Sequence, residues 1–167
     1  MTDEWEEYRY VQARTWLEHV RKLGAEVETA QALVDSEREA MDGVRGIDYS
    51  AEHHGEPNDD GFVDAIAKLD ERIRDYVMRL DSYLDERHDA SVRLSRLPDP
   101  TERQALVSRY LLGYRWEEVC VSMSYSYDGI MKLRRRAIVH AFDVMPTSWR
   151  DVSDMPSRYR ADKGSPM

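Results

Sequence analysis

Four cations crowd one short stretch of this chain, Lys132, Arg134, Arg135 and Arg136, just after Tyr127, Asp128 and Met131. Guanidinium and ammonium groups along one helix bind phosphate, and polar side chains a turn earlier reach base edges. The chemistry on offer is therefore recognition of double-stranded DNA rather than the making of bonds. Other candidate chemistry is thin. His53 and His54 stand side by side in an acidic stretch with no cysteine and no helically spaced histidine, which is not the ligand spacing that zinc needs. Cys120 falls on the inward side of a helix, the place of a small hydrophobe rather than a nucleophile. No phosphate-binding glycine loop, nucleophile elbow or zinc-finger spacing is found, and the many Asp and Glu occupy solvated helix positions. We expect no enzyme activity, no cofactor and no metal site.

The elements that must position the cations follow from the punctuation around them. Pro98 and Pro100 stop what precedes. Thr101 with Gln104 has the form of a capping box, and Leu106, Tyr110 and Leu111 keep helical spacing as far as Gly113, a natural terminator. Trp116 opens a second helix with Glu117 and Glu118 in its first turn. Its inward residues are Trp116, Val119, Cys120 and Met123. Ser124 to Ser126 supply a polar turn, with Ser126 placed to cap a third helix. On that helix Ile130, Leu133, Ala137, Ala141 and Val144 share one stripe, and Asp128, Lys132, Arg135 and Val139 the opposite one, flanked by Met131 and Arg136. Helix, turn, helix, turn and cationic helix is the grammar of a helix-turn-helix. In a major groove, Tyr127, Asp128, Met131 and Lys132 would lie nearest the bases, Arg135 and Arg136 would reach phosphates, Ser126 would join the DNA-binding set from the cap, and Arg134 would sit toward the packed side. Two features lower the expected affinity. The Asp128 carboxylate repels phosphate unless it accepts a hydrogen bond from cytosine, and Gly129 costs its helix about 1 kcal/mol relative to Ala.

The strings RYLLG (Arg109 to Gly113), WEEV (Trp116 to Val119), MSYSY (Met123 to Tyr127) and KLRRRA (Lys132 to Ala137) make this segment resemble the fourth region of bacterial sigma-70-type factors. More closely, it is similar to phage transcriptional regulators related to the ArpU and RinA late-gene activators. The likeness continues upstream through LPDP (Leu97 to Pro100) and DAIAKLDERI (Asp64 to Ile73). It implies a sequence-specific DNA-binding regulator of transcription, phage or prophage encoded, that acts with bacterial RNA polymerase in the host cytoplasm.

The remainder of the chain is long helix. From Asp3 to Val44 the residues Ala13, Trp16, Val20, Leu23, Val27, Ala30, Val34, Met41 and Val44 alternate steps of three and four, with Glu37 in the one polar slot. From Asp59 or Asp60 to Leu97 a second stripe runs through Phe62, Ile66, Leu69, Ile73, Tyr76, Leu80, Tyr83, Ala90, Leu94 and Leu97, interrupted by Arg87. Three Gly and a Pro between Arg45 and Gly61 mark a connector. The expected fold is all-α: a long two-helix coiled-coil hairpin over residues 1–97, a helix-turn-helix over 98–145, and a disordered tail over 146–167. In that tail Trp149, Arg158, Tyr159 and Arg160 could dock on DNA or a partner.

The 167 residues are 34% charged with a net charge of −9. Residues 1–97 hold 13 cations against 24 anions, whereas 98–145 hold seven against six. Acidity therefore lies upstream of the candidate DNA reader. No apolar run is long enough for a membrane span, and a single cysteine suits a reducing cytoplasm. The two seams suggest a homo-oligomer, which would set two readers about one helical turn of DNA apart or a multiple of it. Two other classes fit the same elements: a sigma-like module that binds polymerase without reading DNA, and a packaging protein resembling a phage small terminase subunit. In the second case the order, with the oligomerising helices first and the reader last, is unfavourable.

Overall fold

A computed structural model describes residues 3–46, 59–151 and 153. Every regular element among them is helical: α1 Glu4–Arg45, α2 Asp59–Leu94, α3 Pro100–Leu106, a π turn Val107–Leu111, α4 Trp116–Met123, α5 Tyr127–Val144 and a 3-10 turn Thr147–Trp149. The connector between 47 and 58, with His53 and His54, and the end of the tail, with Arg158, Tyr159 and Arg160, lie outside the described residues. No helix among the described residues is long and apolar enough to cross a membrane.

Contacts divide the chain into two compact units, and the division is not the one the sequence suggests. One unit comprises Met1–Gly24 with Glu86–Met167, and the other Ala25–Asp85. The first 24 residues and the end of α2 thus belong with the C-terminal helices, and residues 98–145 do not stand apart from them. The cause is a single core. Ala13, Trp16, Leu17 and Val20 of α1 and Ala90, Leu94 and Leu97 from α2 and its exit pack in one cluster with Leu106, Tyr110, Val119, Ile130, Leu133, Ala137 and Met145. Three short helices cannot bury that much apolar surface among themselves.

In the second unit, Ala30, Val34 and Met41 of α1 are buried, while Phe62, Ile66, Leu69, Ile73, Tyr76, Leu80 and Tyr83 of α2 are half-buried. The polar interruptions in both stripes have partners. Glu37 lies 3.9 Å from Arg72, and Arg87, in the first unit, donates to the Leu111 carbonyl that ends the π turn.

Two boundaries differ from expectation. The cap of α3 is Asp99, not Thr101: its Oδ1 accepts from the Thr101 amide at 2.8 Å, with Pro100 in the first helical position, where a missing N–H costs nothing. That amide bond holds the Asp99 carboxyl below the usual range. The start of the tail is also ordered. Pro146 ends α5, and Trp149 turns back to lie 4.8 Å from the His19 ring. The Asp151 carbonyl accepts from Tyr8 and, at 2.6 Å, from Gln12 Nε2, while its amide donates to Gln12 Oε1 at 2.8 Å. An aromatic ring with apolar surface to bury outweighs the polar composition around it.

Candidate nucleic-acid interface

Local chemistry sets α4 and α5 in place. After the π turn, Gly113 takes φ +79°, the left-handed region open to glycine. The Arg115 amide then donates to Glu118 Oε2 at 2.7 Å, starting α4. Trp116 and Val119 are buried, and Cys120 and Met123 half-buried. Ser124 ends α4 at φ 58°, and the Tyr125 amide closes on the Cys120 carbonyl at 3.0 Å. Ser126 Oγ then accepts from the Gly129 amide at 3.1 Å, the expected cap of α5. Gly129 has a reason to be there. A Cβ at that position would sit 3.0 Å from Ser126 Oγ and 3.3 Å from the Tyr125 ring. The turn closes over a residue without a side chain, which offsets the helix propensity lost.

The faces of α5 are clear. Ile130, Leu133, Ala137 and Ala141 are buried as their spacing predicts, together with Ile138 and Phe142. Val139 corrects the expected outer stripe: it is only 7% exposed. The start of α1 lies alongside, with Arg9 reaching the Val139 carbonyl at 3.4 Å and the Asp143 carboxylate at 3.0 Å, and Trp5 edge-on to Phe142 at 5.5 Å. The first turn of α5, Lys132, Arg136, His140 and Asp143 remain outward.

The named residues therefore separate. Ser126, Tyr127, Asp128 and Lys132 are exposed, Tyr127 by 60%. Among the described residues neither Asp128 nor Lys132 has an ion-pair partner. Met131 is half-buried, 3.9 Å from Arg134 Nη1. The three arginines all turn to the protein itself. The Arg134 guanidinium lies over the Trp116 ring at 5.3 Å. Arg135 bonds Glu6 at 3.2 Å and Glu7 at 2.8 Å, and stacks 4.8 Å from the Tyr10 ring centroid. Arg136 bonds Glu102 at 2.7 Å and approaches Asp99 at 3.7 Å. Glu102 is a buried carboxylate, and its second oxygen lies 2.8 Å from His140 Nδ1. Between these groups runs a groove of about 470 Å³, lined by Glu6, Met131, Lys132, Arg135, Arg136, Val139 and His140.

Spacing did not reveal Glu6, Glu7, Tyr10 and Glu102 as partners of the cations. For Glu102 a signal exists, since it lies four residues before Leu106 on the inward stripe of α3, where a carboxylate needs a cation. Glu6 and Glu7 carry none, because acidic residues in a first helical turn are already accounted for by the helix dipole.

No family model, curated protein or solved structure matches this chain.

Proposed function

We propose that α3, α4 and α5 form a helix-turn-helix that reads double-stranded DNA, and that the protein is a sequence-specific regulator of transcription, phage or prophage encoded, acting with bacterial RNA polymerase. The observation that carries this reading is the first turn of α5. A capped helix start, packed on its inner side, presents Tyr127, Asp128 and an exposed Lys132 outward. Such a start can enter a major groove with its polar residues at base edges. Arg135 and Arg136, whose bonds lie within the chain, stand at its margin.

Charge supports the same division of labour. Residues 25–85 hold six cations against 17 anions, whereas residues 1–24 and 86–167 together hold 18 against 16. The acidity is confined to the second unit. A second reading keeps the fold and drops the DNA, with the acidic second unit docking on a basic surface of polymerase. The internal pairing of Arg135 and Arg136 favours it.

Fluorescence anisotropy with duplex DNA across a salt series separates the two. DNA binding falls with salt at close to one log-log unit per phosphate contact, and Lys132→Ala lowers both affinity and slope while leaving the fold intact. A folded protein that binds no duplex at low salt would point instead to polymerase subunits. Light scattering of the same sample tests whether the long helices carry a homo-oligomer.

A further inference from the structure

We propose that the first two turns of α1 are a built-in competitor for DNA phosphate, with Glu6 and Glu7 holding Arg135 until a phosphate displaces them. The inference rests on the DNA-reading proposal and adds a regulated contact to it. Arg135 lies one turn beyond the exposed Lys132 and lines the same groove. Its Nε meets Glu6 and its Nη2 meets Glu7. These form the edge of the guanidinium fork that would take a phosphate through two bonds. The carboxylates therefore occupy the arginine as a phosphate would.

Two further contacts make this an exchangeable bond rather than a fixed strut. Tyr10 lies against the guanidinium, so the arginine stays aimed at the groove when the carboxylates leave. The glutamates themselves are open to water, with side chains 42% and 53% exposed, and pairs of that kind are weak. Arg136 shows the contrast: its partner Glu102 is 2% exposed and bonded to His140 as well, so that pair does not open to admit a phosphate. Trp5 on Phe142 and Arg9 on Asp143 keep the acidic turn beside α5, which makes its effective concentration high.

The test compares the full-length protein with Glu6→Gln/Glu7→Gln, on a duplex of unrelated sequence by anisotropy across a salt series. The double variant should bind about threefold to tenfold more tightly, with a log-log slope steeper by about one unit for the added phosphate contact. That gain must vanish in Glu6→Gln/Glu7→Gln/Arg135→Ala, which separates release of Arg135 from the mere loss of two negative charges. Thermal melting checks each fold. If the double variant melts early, the single Glu7→Gln, which leaves Glu6 in place, is read the same way. Equal affinity, or a gain that survives loss of Arg135, overturns the inference and leaves the DNA reading standing. No binding by any of the proteins overturns both.

Discussion

The two units use the same pair of helices to opposite ends. In residues 1–24 and 86–151, α1 and α2 supply one wall of a core that also takes α3, α4 and α5, so Leu17, Leu94, Ile130 and Ile138 are fully enclosed. Among the described residues of 25–85 each helix has only the other, and Ala30, Val34 and Met41 are what is buried there. Charge follows the same line, near neutral in the first unit and −11 in the second. A heptad stripe therefore says that a helix will be covered, but the depth of burial is set by how many elements converge on it.

The largest test of that contrast is a pair of truncations. Leu17→Ala in the first unit should lower stability by about 3 kcal/mol, since it opens a cavity in a core that cannot collapse. Val34→Ala in the second should cost about 1 kcal/mol, because its half-buried surroundings can adjust. Chemical denaturation of both variants reads the difference, and equal losses would mean that the second unit is packed as tightly as the first.

Next comes the buried carboxylate. Glu102→Ala should destabilise by about 2 kcal/mol, removing bonds to Arg136 and His140 and leaving a void. Arg136→Ala should destabilise in the same direction, because Glu102 then keeps only His140. Lys132→Ala sharpens the comparison. Its melting temperature should stay at the wild-type value, an exposed position shifting stability by less than about 0.5 kcal/mol. If Arg136→Ala instead leaves the melt untouched and abolishes DNA binding, the pairing of that arginine with Glu102 carries no stability.

Ser126→Ala tests the link between turn and helix. Loss of the bond to the Gly129 amide should cost about 1 kcal/mol, measured by thermal melting. Because that cap sets the direction of the exposed first turn, DNA affinity should fall with it.

The smallest effect at neutral pH lies at Tyr110. Burial pushes its hydroxyl up to about 12, with Arg134 and Arg109 pulling the other way. It has no hydrogen-bond partner among the described residues. The folded protein therefore resists ionising Tyr110 more than the unfolded chain does. The stability this contributes is complete below about pH 10 and is lost as pH rises through about 12. Tyr110→Phe should be neutral or slightly stabilising at pH 7 and should flatten that alkaline loss, read from melts between pH 8 and 12.

Much of this protein was legible before its structure. The apolar stripes of α1 and α2, the glycine end before Tyr114, the Trp116 start and the Ser126 cap are local matters, decided by residues within a turn of one another. The all-helical fold and the packed side of α5 follow from them. The tertiary structure alone decided what became of the charges. Arg134, Arg135 and Arg136 form one run in sequence, yet they meet Trp116, then Glu6 and Glu7, then Glu102. Those partners arrive from α4, α1 and α3. The same holds for Val139, covered by the start of α1, and for Trp149, which anchors what composition marks as a tail. Periodicity tells which side of a helix is apolar, because that is a property of one element. Whether a charge faces water or a carboxylate depends on which distant segment the core draws against it, and no spacing within the helix contains that information.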